Sequence, residues 1–288
     1  MNLEMTELSK CHDQLFTIGE VSKICKISKK ALRIYEQMGI VIPDKVSKDN
    51  GYRYYNRETM MLIPVIKYYK QMGFKLQEMK GVGDKKSYFY HENNFISKLD
   101  ELKNEEMRIK CSYRAVDDWL NMLREGFMVL DNNIQNVNVK YLEKAKCYFK
   151  EQPFNYNYME SVINIPWVNY LEEHDCEITG PMILKYPSYK AKKSFKEDTV
   201  FILQEPVGRF TDKIGCTEMG GTMALCSYHI GDPRNIEQKY EQIEKWAKEN
   251  QYICGPEAYE RFVIDYWATN ELDKFVTEVI IPVEKEKF

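Results

Sequence analysis

Lys29, Lys30 and Arg33 form a row of basic side chains near the N-terminus of this chain. On a helix this row would suit a DNA major groove, where phosphate contacts position a protein and base contacts specify the sequence. The charge distribution agrees, because residues 1–90 carry 16 Lys and Arg against 10 Asp and Glu, while the remaining residues carry 25 against 34. A basic segment of this kind suits a polyanion. The alternative is an ordinary solvated face.

Glu260 is the second residue that could do chemistry, because it stands in an apolar segment near the C-terminus. In a strand, alternation places it on one face with Phe262 and Ile264, so its carboxylate points into the apolar side. A buried carboxylate is costly unless a partner compensates its charge. Arg261 lies on the opposite face, which leaves a lysine as a structural partner or a cationic ligand as a functional one. The many Tyr and Trp rings of this half suit planar, apolar or cationic ligands, although each ring alone could equally be core.

The composition is that of a globular protein, with 44% hydrophobic and 30% charged residues and no apolar run long enough to span a membrane. Residues 1–15 lack the pattern of a secretory signal, so we expect a loose tail and a cytoplasmic protein. The eight cysteines follow no disulfide spacing and are expected to be free thiols. Cys111 and the pair His174-x-Cys176 are too sparse for a metal site, which needs three or four ligands. We therefore expect no metal and no cofactor.

Two short helices must position the basic row. Thr17 and Glu20 form a capping-box pattern that predicts a helix from Ile18 to about Ile24. Ser28 can cap a second helix over residues 29–38, and Gly39 supplies the left-handed position that ends it. Helix, tight turn and helix in this space predict a helix-turn-helix, with the basic row on its second helix.

A hairpin and a third helix follow. Asn50-Gly51 is the two-residue loop typical of a type I′ hairpin, so the segment through Tyr55 is predicted to be a β-wing. Arg53 and Tyr55 would lie on one face of the wing, and Tyr52 and Tyr54 on the other. Asn56 can cap a helix over residues 57–71, and residues 76–79 begin another short helical turn.

A long helix over residues 93–124 is predicted from an apolar heptad, with Gly126 ending it. Charged residues occupy the other positions. A seven-residue repeat holds one stripe against a partner helix along its whole length, so we expect a dimer axis that joins two different modules. The alternative is an amphipathic core helix. The stripe consists of Phe95, Leu102, Ile109, Val116 and Leu123, with Leu99, Tyr113 and Leu120 beside it.

The C-terminal body contains two similar units about 75 residues apart. Each is predicted to run strand, helix, Gly-Pro turn and strand, which indicates a duplicated α+β domain with its helices on one side of a sheet. The first unit comprises residues 139–149, 159–173, Gly180-Pro181 and 182–186; the second comprises residues 223–230, 236–250, Gly255-Pro256 and 259–266, with a final strand at 275–283.

The N-terminal motifs F-T-I-G-E-V, S-K-K-A-L-R-I-Y-E-Q-M-G-I, N-G-Y-R-Y-Y and M-G-F-K-L-Q-E-M-K resemble, in this order, the winged-helix domain of MerR-family transcription regulators. The resemblance covers residues 16–80 and implies DNA binding, followed by a long antiparallel dimerisation helix. Ile34 departs from it, since the family commonly has an aromatic residue there, and Tyr35 could supply that contact instead. The candidate DNA-binding residues are Thr17, Ser28, Lys29, Lys30, Arg33, Tyr35, Tyr52, Arg53, Tyr54 and Lys67.

Residues 137–285 resemble the GyrI-like effector-binding domain found behind such heads in multidrug-responsive regulators. The segment from Gly221 to Tyr228 is similar to the strand that supplies a pocket tyrosine, and residues 258–261 are similar to the strand that bears a pocket glutamate. The resemblance therefore implies that Tyr228 and Glu260 bind the ligand. Location and chemistry alone add Trp167, Tyr186 and Tyr266 as candidates.

Together these features predict a multi-domain protein: a tail (1–15), a winged helix-turn-helix head (16–90), a coiled-coil dimerisation helix (91–125) and an α+β GyrI-like body (126–288). The resemblance implies a homodimer that binds promoter DNA, acts on RNA polymerase through the promoter, and distorts an over-long promoter spacer when a lipophilic, cationic small molecule binds. We expect no catalytic residues. The alternatives are a metal or redox sensor on the same head, or a hydrolase in which Glu260 acts as a base.

Overall fold

The structure is a computed structural model that describes residues 14–83, 88–208 and 210–286. It consists of two compact units, which divide between Asn104 and Glu105. Most of the expected tail, residues 1–13, lies outside the described residues. Within the described stretches, no helix combines the length and the apolarity needed to cross a membrane.

The first unit contains the predicted helix-turn-helix. Thr17 and Glu20 form the capping box of the first helix, and the Ser28 hydroxyl accepts from the Ala31 N–H at 3.1 Å to cap the second. Gly39 takes the left-handed conformation after the second helix, with φ of 70°. The elements are β1 (Phe16–Thr17), α1 (Ile18–Ile24), α2 (Lys29–Gln37), β2 (Lys45–Val46), β3 (Arg53–Tyr55), α3 (Arg57–Gln71) and a 3₁₀ turn (Leu76–Met79).

The wing is present, but its loop is longer than the two-residue type I′ turn predicted from the sequence. Strands β2 and β3 pair Val46 with Arg53, which leaves six residues between them. The Asn50 side chain accepts from the Tyr52 N–H at 3.0 Å, and Gly51 has φ of 68°. Asn50-Gly51 therefore forms part of a wider Asx-type loop, because the asparagine side chain bonds to the backbone two residues on.

The long helix α4 (Tyr88–Asp131) spans the division between the units and exceeds its predicted length. Gly126 does not end it. A Cβ on Gly126 would lie 2.2 Å from the Ile264 side chain, so the glycine permits close packing of the helix on the body instead. Six members of the apolar stripe, in the middle of the helix, are 41 to 74% exposed in the single chain: Leu99, Leu102, Ile109, Tyr113, Val116 and Leu120.

The second unit contains one large antiparallel sheet with short helices packed on one face and the C-terminal part of α4 packed on the other. Its strand order is β4-β9-β12-β11-β6-β7-β5-β8, with β10 beside β12. The strands are β4 (Asn138–Leu142), β5 (Ala145–Pro153), β6 (Glu177–Tyr186), β7 (Thr199–Val207), β8 (Cys216–Met219), β9 (Thr222–Ile230), β10 (Tyr252–Cys254), β11 (Ala258–Ile264) and β12 (Val276–Lys285). The helices are α5 (Tyr158–Val162), α6 (Ile165–Glu173), α7 (Tyr189–Lys193) and α8 (Glu237–Glu249).

The strand order shows the duplication that the sequence predicted. Strands β5, β6 and β7 form one half, and β9, β11 and β12 form the other, with β6 and β11 paired at the centre. In each half the chain runs from the first strand, β5 or β9, through helical segments to the central strand, β6 or β11. The third strand, β7 or β12, then pairs with the central strand and lies between it and the first strand. This symmetry places the two central strands, and Glu260 on one of them, in the middle of the sheet.

Four details of the body differ from the sequence predictions. The segment 139–149 forms two strands, and the helix 159–173 is interrupted because Asn164 caps a new helix. Gly180-Pro181 lies within β6, at a shift of its register against β7. Strands β7, β8 and β10 and helix α7 were not predicted, although Ser188 caps α7 and could have indicated its start.

Candidate ligand site and nucleic-acid interface

Glu260 lies at the centre of a buried polar cluster on β11. Its side chain is 0% exposed. Tyr186 donates its hydroxyl to Oε2 at 2.9 Å, and Tyr240 donates its hydroxyl to Oε1 at 2.8 Å. The ammonium of Lys192 lies 3.1 Å from Oε1. Both carboxylate oxygens are thus engaged, as a buried charge requires.

Aromatic rings enclose the ammonium of Lys192. Its Nζ donates to the Tyr158 hydroxyl at 2.7 Å and lies 5.0 to 5.9 Å from five ring centroids. At these distances the negative faces of aromatic rings attract a cation. We call these groups, with Glu260, the cage; the rings are Phe154, Tyr156, Tyr158, Tyr186 and Tyr240.

Local structure places each cage residue. Tyr186 ends strand β6, next to β11, and its partner across the strands is Ala258, two residues before Glu260 on the same face. Tyr240 projects from α8, which packs on that face. Lys192 is carried by α7, a helix of five residues that the Ser188 hydroxyl caps by accepting from the Ala191 N–H at 3.2 Å. The cage therefore joins groups from both halves of the duplication.

Two tyrosines of the cage, Tyr186 and Tyr240, donate hydrogen bonds to Glu260, while the Tyr158 hydroxyl accepts one from Lys192. Burial raises the pKa values of Tyr158, Tyr186 and Tyr240 well above 10, and the adjacent charge of Glu260 raises them further. Their hydroxyls therefore remain protonated at neutral pH and can donate to a carboxylate. Because Tyr and Lys groups occupy both oxygens of Glu260, this carboxylate is not placed as a free general base, which argues against the hydrolase alternative.

The opposite face of β11 carries a second charged network. Arg261 donates to Glu278 at 2.7 Å through Nε and forms an ion pair with Glu125, which lies on α4. Lys140 lies 2.5 Å from Glu278. Burial would raise the pKa of Glu278, but the charges of Arg261 and Lys140 outweigh it and lower this pKa. Successive residues of β11 thus face the cage and the long helix.

Tyr228 does not lie at the cage, in contrast to the prediction from the resemblance. It pairs with Glu278 across the strands, on the face of the sheet that Arg261 shares. Its hydroxyl donates to Glu125 at 2.7 Å. Tyr228 is therefore part of the contact between the sheet and α4, because alternation turns it away from Glu260.

Two other candidates bond or pack elsewhere. Trp167 is fully buried in the core cluster that also contains Tyr158 and Tyr186, but its ring N–H donates to the Gln204 side chain at 2.8 Å. Tyr266 follows β11 and packs edge-on against Phe275, with 4.8 Å between the ring centroids. Of the three rings chosen by location, only Tyr186 contacts Glu260.

Sequence reasoning missed four of the five cage rings and the lysine. Phe154, Tyr156 and Tyr158 alternate along the sequence, a spacing that could have drawn attention to this segment. Tyr240 lies on the buried face of a predicted amphipathic helix and carried no further signal. Lys192 is one of several lysines in a short basic run, and nothing in the sequence distinguishes it from its exposed neighbours.

In the head, the basic row lies on the surface of α2. Lys29, Lys30 and Arg33 are all exposed, and Lys29 and Arg33 share one side of the helix because they are four residues apart. Tyr52, in the wing loop, is exposed as well, and Tyr54 is half-buried. These positions are compatible with a nucleic-acid interface of the predicted kind.

The structure corrects the prediction that Tyr35 contacts DNA, because its side chain is only 3% exposed and belongs to the hydrophobic core of the head. Its ring cannot replace the groove contact that Ile34 lacks. Four further candidates bond within the head. Arg53 forms an ion pair with Glu36, and Lys67 donates to the carbonyl of Cys25 at 2.6 Å, next to the end of α1. The hydroxyls of Thr17 and Ser28 accept backbone hydrogen bonds that cap α1 and α2.

The cysteines and histidines considered for a metal sensor do not converge. In the described stretches, no group of three or more His, Cys, Asp or Glu side chains is arranged to hold a metal ion. The His174 ring bonds to the carbonyl of Tyr170 at 2.8 Å, and the Cys176 thiol donates to the carbonyl of His174 at 3.3 Å. These two side chains thus have partners inside the fold.

Comparison with known proteins confirms both resemblances. Residues 16–86 match the model of the MerR HTH family regulatory protein, and residues 181–284 match that of the GyrI-like small molecule binding domain. The chain is 21% identical over 281 residues to the multidrug-efflux transporter 2 regulator of Bacillus subtilis strain 168, an alignment covering 94% of this chain and 97% of that protein. It is 35% identical over 157 residues to the multidrug-efflux transporter 1 regulator of the same organism, covering 49% and 56%. A cryo-EM structure of the EcmrR–DNA complex covers 94% of this chain and 100% of that one, with 19% identity and a TM-score of 0.45.

Proposed function

We propose that this chain, which joins a MerR helix-turn-helix domain to a GyrI-like domain, is a transcription regulator that binds promoter DNA as a homodimer and responds to a lipophilic cation. It would act in the cytoplasm, through RNA polymerase at the promoter. Both relatives named above are regulators of multidrug-efflux transporters, and neither is described as an enzyme.

The cage around Glu260 carries the proposal for the ligand. It holds a cation, the Lys192 ammonium, between a buried carboxylate and five aromatic rings. A carboxylate supplies charge complementarity, and aromatic walls favour a cation that also carries apolar surface. The class of effector that fits best is therefore a lipophilic cation with hydrogen-bond donors. A neutral lipophile that took the place of the Lys192 ammonium would leave the buried charge of Glu260 uncompensated.

Strand β11 offers a path from this site to the dimerisation helix. Glu260 faces the cage, and the next residue, Arg261, forms an ion pair with Glu125 on α4. A shift of β11 when the ligand binds would change the Arg261–Glu125 contact and so the geometry of α4. We propose that this change alters the DNA held by the two heads, shortening the effective length of an over-long promoter spacer.

The proposal requires a dimer, for which the exposed stripe on α4 is the surface. Ile109→Glu with Val116→Glu would place two charges in the paired seam, at a cost of several kcal/mol. Sedimentation should then report a monomer, and affinity for promoter DNA should collapse. The matched control is Lys110→Glu with Asp117→Lys, which changes exposed charges one position along. A doubly charged stripe that leaves the protein dimeric would contradict the pairing.

The ligand is tested by the conservative variant Glu260→Gln, which keeps the shape of the side chain and removes its charge. Cationic dyes should lose at least about tenfold in affinity, or about 1.4 kcal/mol, while neutral dyes of similar size are spared. Tryptophan fluorescence reports binding, and transcription from the chain's own promoter reports the response. Equal losses for both dye classes, or a promoter that ignores the cations, would refute this function.

A further inference from the structure

Lys192 is an unusual lysine, because it is 3% exposed. Lysine is almost never fully buried unless it is paired. Its ammonium meets Glu260 at 3.1 Å and the Tyr158 hydroxyl at 2.7 Å, and four further ring centroids lie 5.0 to 5.9 Å away. A carboxylate, a hydroxyl and several aromatic faces are the groups by which proteins bind an alkylammonium ion. Here the alkylammonium ion is the side chain of Lys192 itself, so the occupant of the cage is covalently part of the protein.

We propose that Lys192 is a built-in occupant of the cage, and that the cationic group of an effector enters by displacing it. This inference rests on the proposed function, and it adds what the ligand must compete with. Because the Lys192 ammonium is tethered inside the cage, its effective concentration there is far above that of a dilute free amine. A small free amine at low concentration therefore loses the competition, while a cation with a large apolar body gains additional burial and can win it.

The element that carries Lys192 can release it without disturbing the sheet. Helix α7 has only five residues, shorter than an isolated helix needs for stability, and it is held by side-chain contacts. One of these is the ion pair of Lys193 with Glu244 at 2.7 Å, which keeps α7 on α8. Rotation about the Lys192 side-chain bonds would withdraw the ammonium while that anchor stays in place.

The cage reaches the surface at a pair of rings. Tyr156, one of the cage rings, is half-buried and lies 5.3 Å from the ring of Phe195, which is 57% exposed. Both residues have positive φ, 63° and 56°, a conformation that is costly for bulky side chains. Displaced Lys192 could leave, and an effector enter, between these rings, because neither is fixed by a regular element.

Chemical rescue of the full-length protein tests the occupant directly. Lys192→Ala leaves Glu260 without a cation and should lower the melting temperature by about 10 °C. n-Propylammonium chloride replaces the deleted atoms and should restore at least half of this loss, while 1-propanol and sodium chloride should not. Wild type should show no shift specific to the amine. In the double variant Lys192→Ala/Glu260→Gln the amine should have no effect, because no charge remains to be compensated.

A second variant keeps the proposal testable if Lys192→Ala does not fold. Lys192→Met retains an apolar stem and removes the charge. Calorimetric titration should show that its affinity for n-octylammonium rises at least about tenfold over wild type, with the affinity for 1-octanol unchanged. Two results would show that the Lys192–Glu260 pair is structural only. One is a rise of melting temperature with n-propylammonium that is equal in wild type and Lys192→Ala. The other is an affinity of Lys192→Met for n-octylammonium that is no higher than that of wild type.

These measurements involve no DNA. If n-propylammonium rescues Lys192→Ala but transcription from the promoter does not respond to cations, the proposed function is refuted and the inference about Lys192 stands. If transcription responds to cations, but n-propylammonium does not rescue Lys192→Ala and Lys192→Met gains no affinity for n-octylammonium, only the inference about Lys192 is refuted.

Discussion

Glu260 and Glu278 are both buried carboxylates, on neighbouring strands of one sheet, but they face opposite sides and have different partners. Glu278 is bonded by Arg261, which lies on the adjacent strand β11, and by Lys140 from β4. Glu260 is bonded by two tyrosines and by Lys192, which comes from the short helix α7.

The difference lies in how firmly each cation is held. The Arg261 guanidinium is held by two carboxylates at once, because it bonds to Glu278 through Nε and to Glu125 through both terminal nitrogens, and the strands on both sides fix its backbone. Lys192 reaches Glu260 from outside the sheet at the end of a flexible side chain. A charge pair built from adjacent strands supports the fold, while a pair whose cation arrives from a separate small element can be exchanged. The first suits a structural joint and the second suits a binding site.

The largest effect is expected from removing the fixed cation. Arg261→Met leaves Glu278 and Glu125 without their shared partner and should reduce the free energy of unfolding by about 3–5 kcal/mol at pH 7. Because the pKa of Glu278 is lowered in the fold, its stabilisation is present above the unfolded pKa and is lost as the pH falls below about 4. The difference between variant and wild type, measured by urea unfolding, should therefore shrink in acid.

The control for this prediction is the double variant Arg261→Met/Glu278→Gln. It should recover part of the lost stability, since removing both charges costs less than leaving one unpaired. A loss below about 1 kcal/mol in the single variant would mean that the joint on this face is no firmer than a surface ion pair.

A third buried carboxylate, Asp265, sharpens the comparison. It follows β11 and accepts a hydrogen bond from the Trp267 N–H at 3.0 Å. Burial raises its pKa to about 6. The folded protein therefore binds a proton that the unfolded chain releases near pH 4, so this group costs stability as the pH rises from about 4 to 6.

Asp265→Asn should accordingly raise the free energy of unfolding by about 2 kcal/mol at pH 7, with no gain below pH 4. Asparagine keeps an oxygen for the Trp267 N–H. Urea unfolding at pH 7 and pH 4 separates the two cases. An Asn variant no more stable than wild type at pH 7 would show that Asp265 is compensated as well as Glu278 is.

The smallest effect is expected at Lys140, the outer partner of Glu278. Its side chain is partly exposed, and Arg261 remains when it is removed, so Lys140→Met should cost about 1 kcal/mol or less. The matched control is Lys144→Met, which removes a more exposed partner, 3.5 Å from Glu218, and should be neutral. A loss at Lys140 as large as that at Arg261 would remove the distinction between inner and outer cations.

The fold was largely predictable because local signals agreed with the global structure. Capping residues located the helices of the head, and the heptad located the long helix. The duplicated strand–helix–strand order matched the symmetric sheet. Two errors are local, since the wing loop is longer than a two-residue turn and Asn164 caps a second helix within the predicted one. The error at Gly126 concerns a long-range contact, because the glycine marks a close approach to Ile264 instead of a helix end and no local pattern reports that approach.

Two residues of the cage, Glu260 and Tyr186, were named from the sequence. Alternation and the resemblance both placed Glu260 on the buried face, where it lies. Tyr228 was misplaced because the resemblance gave its strand without its face. Lys192 could not be found, since its burial depends on α7 folding back over a sheet that only the tertiary structure assembles.

The duplication has a consequence for how such a protein can change its ligand preference. The first half supplies Lys192 and four of the five rings, from segments at the ends of strands, while the second half supplies Glu260 and its neighbour Arg261 from one central strand. Substitutions in the first half can reshape the cage without changing the residues of the Arg261–Glu125 contact. Under the proposed function, selectivity and signalling would therefore be separable traits, and new effectors would be acquired by varying one copy while the other is preserved.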